Sequence, residues 1–253
     1  MLVHPSAIDL SNRGLRFLAQ HLTRRQREMG PRWRKLPAGQ QALLALAHLR
    51  RGDTYAQLAA GFGVGIATGY RYIHEAINVL AAVAPTLEQV VTAASTKAYL
   101  ILDGTLLPID RIAADRPFYS GKHKKHGMNV QVTTDPFGRL IWALPALPGA
   151  THDITAARTH QVIDALAEAD IKCFADKGYQ GAGGTVVVPF RGKHRNLSAG
   201  KQAVNVAHAK VRAVGEQAMA TLKGWRLLRK LRCSTTWITD IVKAVLTLHL
   251  ASA

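Results

Sequence analysis

Acids and cysteines are what this sequence has least of. Against 33 Lys and Arg it carries 16 Asp and Glu, a formal net charge of +17 over 253 residues. A surface so short of negative charge repels basic partners and draws in phosphate-rich ones, nucleic acid first and an anionic membrane second. The two cysteines, Cys173 and Cys233, lie far apart and match no zinc spacing. That excludes a disulfide framework and leaves two thiols in a reducing compartment. No apolar run approaches the roughly 20 residues of a membrane helix. The start, MLVHPSAIDL, has neither the charged region nor the long apolar core of a signal peptide. A cytoplasmic, nucleoid-associated protein is therefore expected. No stretch pairs a basic face with a large aromatic-apolar one, which weakens the membrane alternative. Repeats and low-complexity tracts are also lacking. A hydrophobic content of 48% is enough for a core, in one large domain or two modest ones.

What is present falls into two textures. Residues 1–35 are polar and basic, with Arg24-Arg25-Gln26-Arg27 and Arg32-Trp33-Arg34-Lys35, and read as a helix with a basic face or an arm lying on DNA. Pro37 suits a first helical turn. Leu43, Leu44, Leu46, Ala47 and Leu49 then recur at helical spacing up to Arg50-Arg51-Gly52. Thr54 can cap a second helix through Phe62, Gly63-Val64-Gly65 makes a turn, and Ile66 to Leu80 forms a third helix. Helix, short glycine turn, helix is the helix-turn-helix pattern. It places Thr68, Tyr70 and Arg71 near the start of the second helix of the pair, where DNA would be met. The expected domains are a basic arm at 1–35, a helix-turn-helix domain at 36–83, a linker or short helix at 84–97 and an α/β domain at 98–253.

Beyond Pro85 the pattern turns to strands. YLIL at 99–102 and LLPI at 106–109 flank Asp103-Gly104-Thr105, and Met128–Thr134 pairs with Leu140–Leu144 as a hairpin. A helix at 152–167, strands at 171–175 and 186–189, and one long helix at 199–223 complete a mixed α/β sheet flanked by helices. Asp103 ends one strand and Asp176 another. Ligand sites of open α/β sheets gather at such ends, so parallel neighbours would bring the two carboxylates together as ligands for hard cations such as Mg²⁺. From Lys177 to Arg232 there are 12 Lys or Arg and one acid, Glu216. On its own, Glu216 is either a third ligand or a surface residue paired with Arg212. Asp153 is a cap or first-turn acid with a possible place near the site. Asp110, Asp115 and Asp135 suit turns. Lys122, Lys124 and Lys125 are expected to meet DNA phosphates.

Taken in order, LDGT (102–105), GKHKKHGMNVQV (121–132), DPFGRLIW (135–142), LPGATHD (147–153), ADKGYQG (175–181) and RAVGEQAMATLKGWR (212–226) resemble bacterial insertion-sequence transposases of the DDE endonuclease superfamily, in particular the insertion-sequence five family. The resemblance implies an RNase H-like fold preceded by a helix-turn-helix. It also implies DNA strand cleavage and strand transfer with two Mg²⁺ ions, or Mn²⁺ in their place. The three acids fall on Asp103, Asp176 and Glu216, with Arg212 and Lys223 facing DNA. The implied partners are the element's terminal inverted repeats, target DNA and further copies of the chain in a dimer or larger assembly. A DNA-binding regulator descended from such an enzyme, or a metal nuclease that cuts without joining, are the alternatives. The sequence departs from the family at Gly215, where a larger residue is usual, at Val206, where arginine is common, and at Gly65, where a serine or threonine often caps the recognition helix.

Overall fold

A computed structural model describes residues 11–30, 33–110 and 116–252. The expectations for residues 1–10, Arg32 and Asp115 lie outside them. In chain order the elements are α1 (Asn12–Glu28), α2 (Ala38–Arg51), α3 (Tyr55–Gly61), α4 (Ile66–Ala82), α5 (Leu87–Ala94), β1 (Leu100–Pro108), β2 (Tyr119–Ser120), β3 (Lys125–Thr134), β4 (Leu140–Ala143), β5 (Leu147–Pro148), α6 (Asp153–Thr159), α7 (Val162–Glu168), β6 (Cys173–Ala175), β7 (Val186–Val187), α8 (Ala199–Ala213), α9 (Glu216–Gly224) and α10 (Ile238–Ser252). The chain folds as two units, Met1–Ala84 with Leu222–Ala253, and Pro85–Thr221.

The first unit is helical. Leu18 and Leu22 of α1 are fully buried, as are Leu44, Leu46 and Leu49 of α2 and Ile73, Ile77 and Leu80 of α4. The basic segment is thus in part a docked amphipathic helix. Its apolar positions recur every three or four residues, while Arg24 and Arg25 stay outside. Thr54 caps α3 reciprocally: its hydroxyl accepts from the Gln57 amide N–H, and the Gln57 side chain accepts from the Thr54 N–H. Gly63 turns the chain in the left-handed region at φ 63°. Gly65 begins α4 with no side-chain cap.

Helix α10 packs within this unit. Its Ile238, Ile241, Val242, Val245, Leu246 and Leu248 are buried, and the Thr247 hydroxyl donates to the Leu80 carbonyl. The apolar repeat in ITDIVKAVLTLHL marks it as a core helix, and the apolar face of α4 is what it covers. Of the two expectations for 84–97, the short helix is the one that forms. It is α5, closed by a second capping box between Thr86 and Gln89.

The second unit is built on a sheet of order β2-β3-β1-β6-β7, with β4 and β5 also pairing β3. β1 runs antiparallel to β3, with Gly104 opposite Gln131 and Leu106 opposite Asn129. It runs parallel to β6, and that pairing closes at Leu102 opposite Ala175. Three expectations change here. LILDGTLLP is one nine-residue strand, so Asp103 lies inside β1 and not at its end. The expected 152–167 helix is two, because Gln161 takes the left-handed conformation between α6 and α7. The expected 199–223 helix is also two, broken at Val214-Gly215.

Candidate active site

Asp103 and Asp176 come together through strand register. The parallel ladder ends at Leu102 and Ala175, and each chain continues into its acid. The two acids therefore follow the last rung on neighbouring strands. β1 goes on past Asp103 because β3 keeps pairing it on the other edge. β6 instead turns into a 3₁₀ turn, Lys177–Tyr179, in which Asp176 Oδ1 accepts from the Gly178 N–H at 2.7 Å.

Side chains alternate along β1, so Asp103 shares a face with Ile101 and not with Gly104. On the Ile101 face lies the α8–α9 break. A Cβ on Gly215 would sit 3.0 Å from Ile101 Cγ2. The Arg212 Nη2 donates to Asp103 Oδ2 at 3.1 Å. Burial raises the Asp103 pKa above the ordinary carboxylate value. Arg212 pulls it back and Asp176 adds to the rise. The i,i+4 alternative for Arg212 is thus not what forms, since its guanidinium bonds Asp103. Gly215 is not inside a helix but between two, and is buried.

On the Gly104 face stands Asp153, in the first turn of α6. A Cβ on Gly104 would come within 2.5 Å of its Oδ1, so a side chain there would displace the Asp153 carboxylate. Asn129 Nδ2 donates to Asp153 Oδ1 at 3.0 Å and to the Thr151 carbonyl at 2.8 Å. Gln131 Nε2 donates to the Asp153 carbonyl. Neither amide was singled out from sequence. The signal was there, since Asn129, Gln131 and Thr133 alternate along a strand that is buried on both faces.

Lys122 reaches inward, 3.4 Å from Asp153 Oδ2 and 3.8 Å from Asp176 Oδ2. Burial works against its charge, but Asp153, Asp176 and Asp103 together outweigh it and hold its pKa above the ordinary value. Lys124 and Lys125 are exposed. Beside Asp153 opens a cavity of 280 Å³ whose walls include Gly104, Lys122, Asn129 and Thr151. Glu216 is exposed at the start of α9. Among the described residues no hydrogen bond or ion pair joins it to the three aspartates. Lys223 is exposed in the last turn of α9.

Hard divalent cations take oxygen ligands. The aspartates supply oxygen donors, and an ammonium and a guanidinium already stand against them as stand-in cations, so the donor set fits such an ion. Among the described residues, no three ligating side chains are drawn onto one point while Lys122 and Arg212 hold these oxygens.

In the helical unit, Tyr70 and Arg71 are exposed on the first turns of α4, and Arg71 Nη2 donates to Thr68 Oγ1 at 3.1 Å. They border a groove of 990 Å³ between α1 and α4, walled also by Arg24, Arg25 and Trp33. Arg34 spans it with a bidentate pair to Glu75, at 2.5 and 2.9 Å.

Residues 102–249 match the family described as DDE superfamily endonuclease. The chain belongs to that family. Residues 34–86 match the helix-turn-helix of DDE superfamily endonucleases. The chain is also 30% identical over 218 residues, 85% of its own length and 80% of the relative's, to a protein from Streptomyces albus G described as a candidate transposase for insertion sequence element IS112. No solved structure matches it. Membership makes the mixed sheet an RNase H-like DDE fold, the helix-turn-helix of residues 34–86 implies DNA binding, and the family implies a divalent metal. Among the described residues no single helix is long and apolar enough to cross a membrane.

Proposed function

We propose that this DDE endonuclease is the transposase of an insertion sequence of the insertion-sequence five family, cutting the element's ends and joining them to target DNA. The observation that supports the reading is the parallel register of β1 on β6, whose last rung, Leu102 opposite Ala175, directly precedes Asp103 and Asp176, in a chain that also bears a helix-turn-helix. In this reading Asp103 and Asp176 hold Mg²⁺ or Mn²⁺, and Glu216, at the α8–α9 break, completes a two-ion site. The ions supply Lewis-acid activation of the attacking oxygen, first water and then the freed 3′ hydroxyl, and charge stabilisation at the leaving oxygen.

The protein's own part is positioning and charge. Thr68, Tyr70 and Arg71 on α4 bind the terminal inverted repeat, with Arg24 and Arg25 of α1 on the adjoining phosphates. Lys124 and Lys125 hold the scissile strand near the acids. Arg212 and Lys223 meet phosphates when DNA is bound, Arg212 leaving Asp103 to do so. Two ends must be cut together, so the working form is a dimer or larger assembly on DNA.

The test is cleavage of a labelled duplex carrying the element's own end, with Mg²⁺ and with EDTA. Wild type should nick only with metal, and Asp103→Asn and Glu216→Gln should abolish nicking while retaining end binding. Nicking by Asp103→Asn at the wild-type rate would remove the reading. End binding without cleavage in any metal would favour a DNA-binding regulator, a reading to which the exposed Glu216 lends weight. Cleavage without joined products would leave a metal nuclease.

A further inference from the structure

Asp153 and Asp176 share a pattern that the three-acid reading does not use. Each carboxylate spends its Oδ1 internally: Asp153 accepts there from Asn129 Nδ2, and Asp176 from the Gly178 N–H. Each turns its Oδ2 to the Lys122 ammonium, at 3.4 and 3.8 Å. Two oxygens aimed at one positive charge, with their partner oxygens tied back, is how a carboxylate pair is arranged for a cation. The backbone around them is cleared of side chains. A Cβ on Gly178 would lie 2.8 Å from Asp176 Oδ1 and 3.0 Å from Asp153 Oδ2, and one on Gly104 would meet Asp153 Oδ1. Beneath them Tyr179 is fully buried, and its hydroxyl has no hydrogen-bond partner among the described residues. Burial first, and then the charges of Asp153, Asp103, Asp176 and Cys173, push that phenol well above its ordinary pKa.

We propose that Asp153 and Asp176 form a divalent-cation site on the α6 side of the sheet, that the Lys122 ammonium fills it in the absence of metal, and that metal entry releases Lys122 to a DNA phosphate. This deepens the metal-dependent reading above and rests on it. Lys122 suits the exchange. Its side chain is 59% exposed, so the pair is weakly held, and the adjoining 280 Å³ cavity leaves it room to swing. An ammonium cannot stay between two carboxylates that take up a dication. Its charge then faces outward, where Lys124 and Lys125 already stand. Metal and DNA binding are thereby linked through one side chain, and by linkage each strengthens the other.

The experiment is direct titration of the full chain with Mn²⁺, without DNA, read by the electron paramagnetic resonance of free Mn²⁺. Wild type, Asp153→Asn, Asp176→Asn and Lys122→Gln are compared. Asp153→Asn should weaken Mn²⁺ binding roughly tenfold or more, in line with Asp176→Asn. Lys122→Gln should tighten it about fivefold and weaken retention of a duplex when Mn²⁺ is present. Asp153→Asn binding Mn²⁺ as wild type does, or Lys122→Gln leaving the affinity unchanged, would overturn the proposal. Thermal melting shows whether Asp153→Asn remains folded, and the exposed Lys122 variant tests the exchange even if it does not. The two readings fail separately. Metal-dependent nicking lost in Asp103→Asn, together with unaltered Mn²⁺ binding by Asp153→Asn, sinks this inference alone. A wild type that binds no Mn²⁺ sinks both.

Discussion

At the scale of single residues, Gly104 is where the two faces of the sheet depend on one missing methyl group. Its absence lets Asp153 close on β1 from one side while Asp103 departs toward the other. Gly104→Ala should move the Asp153 carboxylate by about an ångström, and a displacement of that size is enough to cost roughly a hundredfold in rate. Single-turnover nicking is expected to fall by that order with little change in melting temperature, and an unchanged rate would show that the position of Asp153 is immaterial. Cys173 gives a different readout. Burial pushes its thiol up to about 12, and the thiolate is the reactive form. Iodoacetamide at pH 8 should leave Cys173 unmodified in the folded protein and reach it on unfolding, as mass spectrometry of the labelled peptide would show.

At the scale of elements, the break between α8 and α9 reverses an ordinary substitution rule. In a helix interior, Gly→Ala stabilises by about 1 kcal/mol. Gly215 is instead packed against Ile101, and a Cβ there also comes to 3.2 Å from the Arg212 carbonyl. Gly215→Ala should therefore destabilise by about 1–3 kcal/mol, as overpacking does, and denaturant unfolding gives the sign directly. The sequence pattern around VRAVGEQA shows unbroken helical periodicity, so this packing was not legible in it. Only the fold tells which residue faces the break. The same holds at Gln161, where a non-glycine residue turns left-handed at φ 56° to split one expected helix. Local chemistry was easier to read. Thr54 and the Gly63 turn are where their side chains and backbone freedom place them. The neighbouring strands before Asp103 and Asp176 were legible as two apolar runs each ending at an acid, although β1 continues past its acid. Asp153 was harder to assign, because an acid at a helix start has an adequate local reason to be there. The partners that show otherwise, Asn129 and Lys122, are distant in sequence.

At the scale of the whole molecule, the helix-turn-helix is completed by segments far from it in the chain. α1 and α10 bury the faces that α2 and α4 leave apolar. A fragment of residues 34–86 should show little helical circular dichroism, and a chain ending at residue 232 should lose end binding along with the fold of its first unit. A stable, DNA-binding 34–86 fragment would contradict this. Acid should act on the same unit. His48 is held below its ordinary pKa by burial, although its hydrogen bond to the Asp53 carbonyl works the other way. His74, stacked on Trp237 at 3.5 Å, and His249 are lowered by burial too. Above about pH 6.5 these groups are neutral folded or unfolded and contribute no pH dependence. Below it the unfolded chain binds protons first, so stability should fall until the lowered folded values are passed. Melting temperature measured from pH 7.5 to 5 should drop, with a shallower slope for His48→Asn.

The placement of α10 also sets a timetable. A ribosome releases residues 85–221 as one continuous stretch, so the sheet and its aspartates can assemble while synthesis continues, and domains generally fold as they emerge. The unit that carries the helix-turn-helix must wait for Ile238–Ser252, which emerges after the whole sheet. Nascent chains and prematurely ended ones would then carry acids without an address. On the proposed reading, only a polypeptide extended through that helix could find an inverted repeat, so the order of synthesis places recognition after assembly of the sheet.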